Sequence, residues 1–254
     1  MLRRLKGSRS LCVPSLVDRD GLLVVTETAP ALATLREHAA TRQVNVSAQI
    51  ACRMAFALAD LHTQPVEHLA LTHTLTFDPR QMGAEVLGES WVVRKNLRSM
   101  QLSSLNESIG ELQLAADMSP QVATHGDIRS DNILAKDALG PITFIDWEFS
   151  GRGYRWMDVG SALAILIELA IMVGRGVPDP SIARDLVLRY AERADVTIDL
   201  RRVFQCAGIK LLQISAEVAA GSIADDSRID RLRRAGVMFL TRPYEASVQV
   251  GILQ

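Results

Sequence analysis

The feature that most constrains this chain is the segment His125-Gly126-Asp127-Ile128-Arg129-Ser130-Asp131-Asn132, which runs straight into the apolar Ile133–Ala135. A second apolar run, Ile142–Ile145, follows Asp137–Pro141 and ends at Asp146. Two short runs around a turn predict a hairpin, with a polar loop at its entrance and a carboxylate at its exit. Phosphoryl transfer needs this pattern of residue types. A carboxylate such as Asp127 orients an attacking hydroxyl and accepts its proton, and an amide such as Asn132 helps hold Mg²⁺ against phosphates. A second carboxylate must complete the metal site, and Asp146 stands where the returning strand would deliver it. Mg²⁺ takes hard oxygen ligands and keeps several waters, so Asn132, Asp146 and ATP phosphates suffice.

The flanking sequence predicts a mixed fold. Leu22–Thr26 is a β-branched run after the turn signal Asp20-Gly21, and a strand over roughly Cys12–Val17 would pair with it as a hairpin. A helix is expected over Ala31–Ala40. Another, capped by Ser47, repeats Ile50, Met54, Leu58 and Leu61 at helical spacing up to His62. Residues 64–90 are irregular, and Gln101–Asp117 reads as helical. From Asp158 onward helices are expected over about 158–174, 181–194, 199–220 and 225–235.

Composition narrows the function classes. A net charge of -1 argues against a chain built to hold a polyanion, so no nucleic-acid partner is expected. The most apolar run, Ala162–Val173, is broken by Glu168 and is too short to span a bilayer. It reads as a buried core helix, with no membrane role. The basic start lacks the apolar stretch of a secretory signal, and the scattered Cys12, Cys52 and Cys206 form no ligand pair. Cys52 and Cys206 read as buried small residues of a reducing compartment, so a soluble, cytoplasmic protein is expected.

HGD-x-x-x-x-N-I-L followed by I-D-W-E resembles the catalytic signature of the aminoglycoside phosphotransferase and choline kinase superfamily, a branch of the protein-kinase-like fold. The resemblance implies Asp127 as catalytic base, Asn132 and Asp146 as metal ligands, and His125 as a structural member of the catalytic loop. Arg129 stands in that loop where family members usually have histidine. Asp158, in Met157-Asp158-Val159-Gly160, matches the buried aspartate that braces the loop. Trp147-Glu148 replaces the Phe-Gly of protein kinases, which favours the small-molecule branch. LLVVTE is similar to the last strand of the small lobe and the hinge, where backbone groups at Glu27, Thr28 and Ala29 would meet adenine. ALADLH at Ala57–His62 matches the helix preceding the catalytic loop.

The implied fold is α+β and protein-kinase-like, with a truncated small β lobe and a large, mainly helical C-terminal lobe. Residues 1–30 would be the remnant of the N-terminal lobe and hinge, and 31–254 the catalytic lobe. The glycine-rich loop and strand lysine of kinases have no counterpart around Lys6, Gly7 and Gly21. A short upstream sequence, a partner chain completing the lobe, or a binding-only pseudokinase would each account for this. An arginine such as Arg3, Arg4 or Arg129 would be the substitute for the lysine in an active monomer.

The expected activity is Mg-ATP-dependent O-phosphorylation of a hydroxyl on a small molecule or on Ser/Thr of a natural-product precursor peptide. The peptide alternative rests on Lys210-Leu211-Leu212-Gln213 with Glu217, which weakly resembles kinase-like components that work beside a lyase partner in peptide natural-product biosynthesis. An aminoglycoside acceptor would favour acidic walls, for which Glu85, Glu89, Glu107 and Glu111 are available. His62, His68 and His73 share no helical face and are expected at the surface or as caps rather than on a metal. Asp131 reads as a loop-stabilising carboxylate or a contact to metal or substrate. Arg231, Arg233 and Arg234 read as a solvated helix end.

Overall fold

The computed structural model describes residues 11–12, 16–20, 23–26, 33–40, 48–64, 105–112, 114, 121–135, 142–174, 180–220 and 226–249. Strands β1 (Leu11–Cys12), β2 (Leu16–Asp20), β3 (Leu23–Thr26) and β4 (Ala33–Thr34) come first. Helices α1 (Leu35–Ala40), α2 (Ala48–His62) and α3 (105–112) follow. Next are β5 (Val122–Thr124), β6 (Ile133–Ala135), β7 (Ile142–Phe144) and β8 (Gly151–Gly153). The rest is helical: α4 (Arg155–Met172), α5 (Pro180–Ala194), α6 (Leu200–Ala220), α7 (Asp226–Thr241) and α8 (Pro243–Gln249).

β6 and β7 form the expected hairpin, with Ile133 opposite Phe144 and Ala135 opposite Ile142. They are the centre of a four-stranded sheet of order β1-β7-β6-β4, in which β1 runs parallel to β7. β5 and β8 pair as a separate antiparallel ribbon around the loop that links β5 to β6. The amino-terminal hairpin also forms, but its first strand is Leu16–Asp20 rather than Cys12–Val17. The helix expected over Ala31–Ala40 starts only at Leu35, because Ala33 and Thr34 pair with Ala135 and Leu134 of β6. A strand partner overrides local propensity there. Ser47 and most of residues 64–90 lie outside the described residues.

Apolar residues recur at helical spacing and bury where they should. In α2, Ile50, Met54, Leu58 and Leu61 form one buried stripe. α4 is apolar on nearly every face and buried from Trp156 to Ile171 except at Ser161, as befits a central helix. It packs against α6, α6 packs against α7, and α2 packs against α5. Pro180 and Pro243 each occupy the first position of their helix, where a missing N–H costs nothing. Cys206 is buried and burial pushes its thiol up, whereas Cys52 is only half-buried.

Glycine lets the helices around α6 touch backbone to backbone. A Cβ on Gly160 of α4 would lie 2.6 Å from the Val203 carbonyl oxygen, and one on Gly208 would lie 2.5 Å from the Leu240 nitrogen of α7. α6 is therefore wedged between its two neighbours. Among the described residues no helix is long and apolar enough to cross a membrane.

Candidate active site

The β5–β6 loop is held by one buried carboxylate. Asp158, in the first turn of α4, accepts hydrogen bonds from the backbone N–H groups of His125 (2.7 Å) and Gly126 (3.1 Å). It braces the loop, as the resemblance implied, and does not cap its own helix. That helix begins earlier, at Arg155, with Tyr154 at the cap position and no side-chain cap bond. Asp158 spends its lone pairs on the loop instead. Burial alone would push its carboxyl up. The hydrogen bond and charge of His62, with His125, hold it below the ordinary value instead.

His125 is buried and locks the loop from inside. Its Nδ1 accepts from the N–H of Asp127 at 3.2 Å, so Nε2 carries the hydrogen and donates to the Ile145 carbonyl at 2.9 Å. Burial pushes the ring's pKa down, against the opposing pull of Asp158, the Ile145 carbonyl, Asp127 and Asp146. Its ring also sits 4.6 Å from that of Trp147, centroid to centroid. Gly126 has φ +84°, and a Cβ there would lie 2.2 Å from the Phe149 carbonyl oxygen. The turn therefore requires glycine.

These braces present Asp127 and Asn132 side by side. Asn132 Nδ2 donates to Asp127 Oδ2 at 3.0 Å and to the Asp127 carbonyl at 3.0 Å. With its NH₂ so engaged, the amide oxygen of Asn132 is the atom left to face a cation. The Ile145 N–H donates to the Asn132 carbonyl at 3.0 Å, which ties the end of β7 to the loop. Asp146 follows directly, exposed and left-handed at φ 61° and ψ 65°. A non-glycine residue held there is strained, a condition that recurs at functional sites. Among the described residues no group of three or more His, Cys, Asp or Glu side chains could hold a metal. Asp146 and Asn132 could offer one carboxylate and one amide, which fits a hard cation completed by water and phosphate oxygens and does not fit a self-sufficient metal cage.

Arg129 does not reach inward. Its guanidinium makes a two-pronged bond to Glu217 of α6, at 3.2 and 2.6 Å, at a half-exposed position. Asp131 pairs with Arg36 of α1 at 3.2 Å, the loop-stabilising alternative of the two expected. Arg36 also reaches Glu168, a fully buried carboxylate of α4 that accepts from Ser130 and Arg228 as well. Glu168 is pushed up by burial, which outweighs the nearby Arg36 and Arg228 charges. The residue that interrupts the apolar run of α4 thus anchors the back of the loop.

Two contacts escaped the sequence reading. Lys210 of α6 donates to Asp127 Oδ1 at 3.0 Å. His62, expected at the surface or as a cap, is buried between Tyr190 and Asp158. Only its place in ALADLH, at the end of the helix preceding the loop, signalled an inward role. Glu111 is paired with Arg201, and Arg233 and Arg234 both pair with Asp230. Glu27, Thr28, Ala29, Glu85, Glu89, His68, His73, Lys6, Gly7, Gly21, Arg3 and Arg4 lie outside the described residues.

With this geometry in view, residues 8–196 match the model of the APH phosphotransferase enzyme family. The chain belongs to that family. As an APH-family chain it is a phosphotransferase with a hydroxyl acceptor and a kinase-like fold, as its loop sequence implied. Solved structures share the fold at low identity. A choline/ethanolamine kinase family protein from Mesorhizobium loti aligns at TM-score 0.58 and 18% identity over 94% of this chain and 76% of that one. An aminoglycoside phosphotransferase from Alicyclobacillus acidocaldarius aligns at TM-score 0.55 and 16% identity, covering 99% of this chain and 81% of its own. An aminoglycoside phosphotransferase from Streptomyces rimosus, in complex with ADP and streptomycin, aligns at TM-score 0.52 and 18% identity over 91% and 79%. No curated protein matches the sequence.

Proposed function

We propose that this chain transfers the terminal phosphoryl group of ATP to a hydroxyl of a small molecule, with Asp127 as the base. One observation supports the reading above others: Asp127 and Asn132 are bonded side by side on a loop that Asp158 pins through two backbone N–H groups. Asp127 holds the acceptor hydroxyl and takes its proton as the oxygen attacks phosphorus. Asn132 and Asp146 would hold Mg²⁺, which when bound neutralises charge on the phosphates. His125 and Asp158 keep the loop in register and touch no reacting atom. Residues 1–30 are taken as a reduced small lobe and hinge, with Glu27, Thr28 and Ala29 along the adenine edge, and 31–254 as the catalytic lobe. A partner chain that shields the phosphates would raise activity, because charge contacts weaken where water enters.

The test is a nucleotide-consumption assay with Mg-ATP, comparing an aminoglycoside, choline, ethanolamine and a Ser/Thr peptide as acceptors. Stimulation by one of the small molecules supports the reading. Stimulation by the peptide alone would move the acceptor to the biosynthetic alternative, and no nucleotide binding with or without neighbouring gene products would reject phosphotransfer. Asp146→Ala should weaken Mg²⁺-dependent nucleotide binding more than Asn132→Ala, since it removes a charged ligand rather than a neutral one. Equal or absent effects would reject that metal assignment.

A further inference from the structure

α6 brings a buried ammonium to the site. Lys210 Nζ lies 3.0 Å from Asp127 Oδ1, with its side chain only 5% exposed. Lysine is almost never buried so deeply unless paired, and here its partner is the carboxylate read as the base. Farther along α6, Glu217 holds Arg129 through both carboxylate oxygens. The two cations are therefore sorted. Arg129, the nearer to Asp127 in sequence, is engaged at the rim, while Lys210 reaches the base itself. The second oxygen of Asp127 accepts from Asn132.

We propose that Lys210 is a further catalytic residue whose ammonium contacts the phosphoryl group as it passes to the acceptor. The inference rests on the phosphotransfer reading above. In the step, the acceptor oxygen bonds to phosphorus while the bond from phosphorus to the bridging oxygen breaks. The electron pair of that bond leaves with ADP, and the acceptor proton passes to Asp127. Asp127 then loses its negative charge while Lys210 keeps its positive one. A buried ammonium without a counter-ion is costly, and the anion at hand is the phosphoryl group. The attraction between them therefore grows as the reaction proceeds. An interaction stronger in the transition state than in the ground state raises kcat rather than affinity. A lysine that served only to hold Asp127 would show no such growth.

Lys210→Met keeps the stem and removes the charge, and Lys210→Arg keeps the charge. With wild type active, Lys210→Met should lower kcat by about 100-fold or more while the KM for ATP stays close to wild type, and Lys210→Arg should recover part of the loss. A second readout needs no turnover. The ¹⁵Nζ resonance of Lys210, assigned by its absence in Lys210→Arg, is followed with Mg-ADP and then with beryllium fluoride added as a phosphoryl mimic. It should move only when the mimic binds. Wild-type kcat in Lys210→Met, or a resonance indifferent to the bound mimic, overturns the role of Lys210 and leaves the phosphotransfer reading standing. A wild-type chain that neither binds Mg-ADP nor transfers phosphate overturns both.

Discussion

His62 and Asp158 meet at 3.2 Å, ring Nε2 to carboxylate Oδ2, with both side chains almost fully buried. A carboxylate held below its ordinary pKa can only accept, so Nε2 carries the hydrogen. On the far side of the ring Nδ1 and the Tyr190 hydroxyl share a hydrogen bond of 2.7 Å. Burial pushes Tyr190 up, which keeps that hydroxyl protonated. A chain of bonds therefore runs from α5 through α2 to the backbone of the catalytic loop.

The two ends of this chain should respond unequally to substitution. Tyr190→Phe removes one bond and should cost about 1 kcal/mol of stability. His62→Ala strips both Asp158 and Tyr190 of a partner and should cost about 1–3 kcal/mol for each group left unsatisfied. Denaturant unfolding of both variants measures the difference. Equal stabilities would mean that the ring only fills space.

Asp127→Asn should reduce turnover by about 10²–10⁴-fold, because it keeps the shape and removes the proton acceptor. It also leaves Lys210 without its counter-charge, so the melting temperature should fall while the fold persists. Nucleotide affinity should change little. Turnover equal to wild type would dismiss Asp127 as the base.

Gly126→Ala tests the turn. Its φ of +84° costs a β-carbon-bearing residue about 1–3 kcal/mol, and the contact with the Phe149 carbonyl adds to that. The variant should lose both stability and turnover. An intact melting curve would show that the loop can take another path.

Two buried carboxyls predict opposite pH slopes. Asp158 has a lowered folded pKa, so its contribution is present above the unfolded value of about 3.9 and is lost as pH falls through the folded one. Glu168 has a raised folded pKa, so the folded state binds the proton more tightly. Stability should decline as pH rises from about 4.3 through that higher value. Glu168→Gln should flatten the decline without altering the acid limb. Urea midpoints across acidic pH, in wild type and variant, check this. An unchanged profile would mean that Arg36 and Arg228 offset the burial completely.

The loop was legible in the sequence because its chemistry is short-range. Asp127 and Asn132 lie in one turn, and the hairpin that delivers Asp146 is marked by its own apolar runs and turn. Most helices of the carboxy-terminal half were legible for the same reason, but the segment expected over 225–235 runs on to Thr241, and α8 was not expected. What the sequence hid depends on packing between distant segments. Lys210 meets Asp127 only because α6 lies across the loop, and His62 meets Asp158 only because α2 crosses α4. Asp158 shows both sides. Its role as a brace was readable from the resemblance but not from the local pattern, because nothing local says whether a carboxylate in a first helical turn will serve its own helix or a loop that it packs against.

The glycines at the two seams of α6 limit how this enzyme can diversify. Gly160 and Gly208 leave no slack for the helix to press closer to α4 or to α7. Descendants of this sequence can exchange side chains along α6, but pressing the helix toward either neighbour would drive backbone into backbone at those seams. Sequence drift should therefore accumulate at surface-facing positions of α6 and leave both glycines untouched.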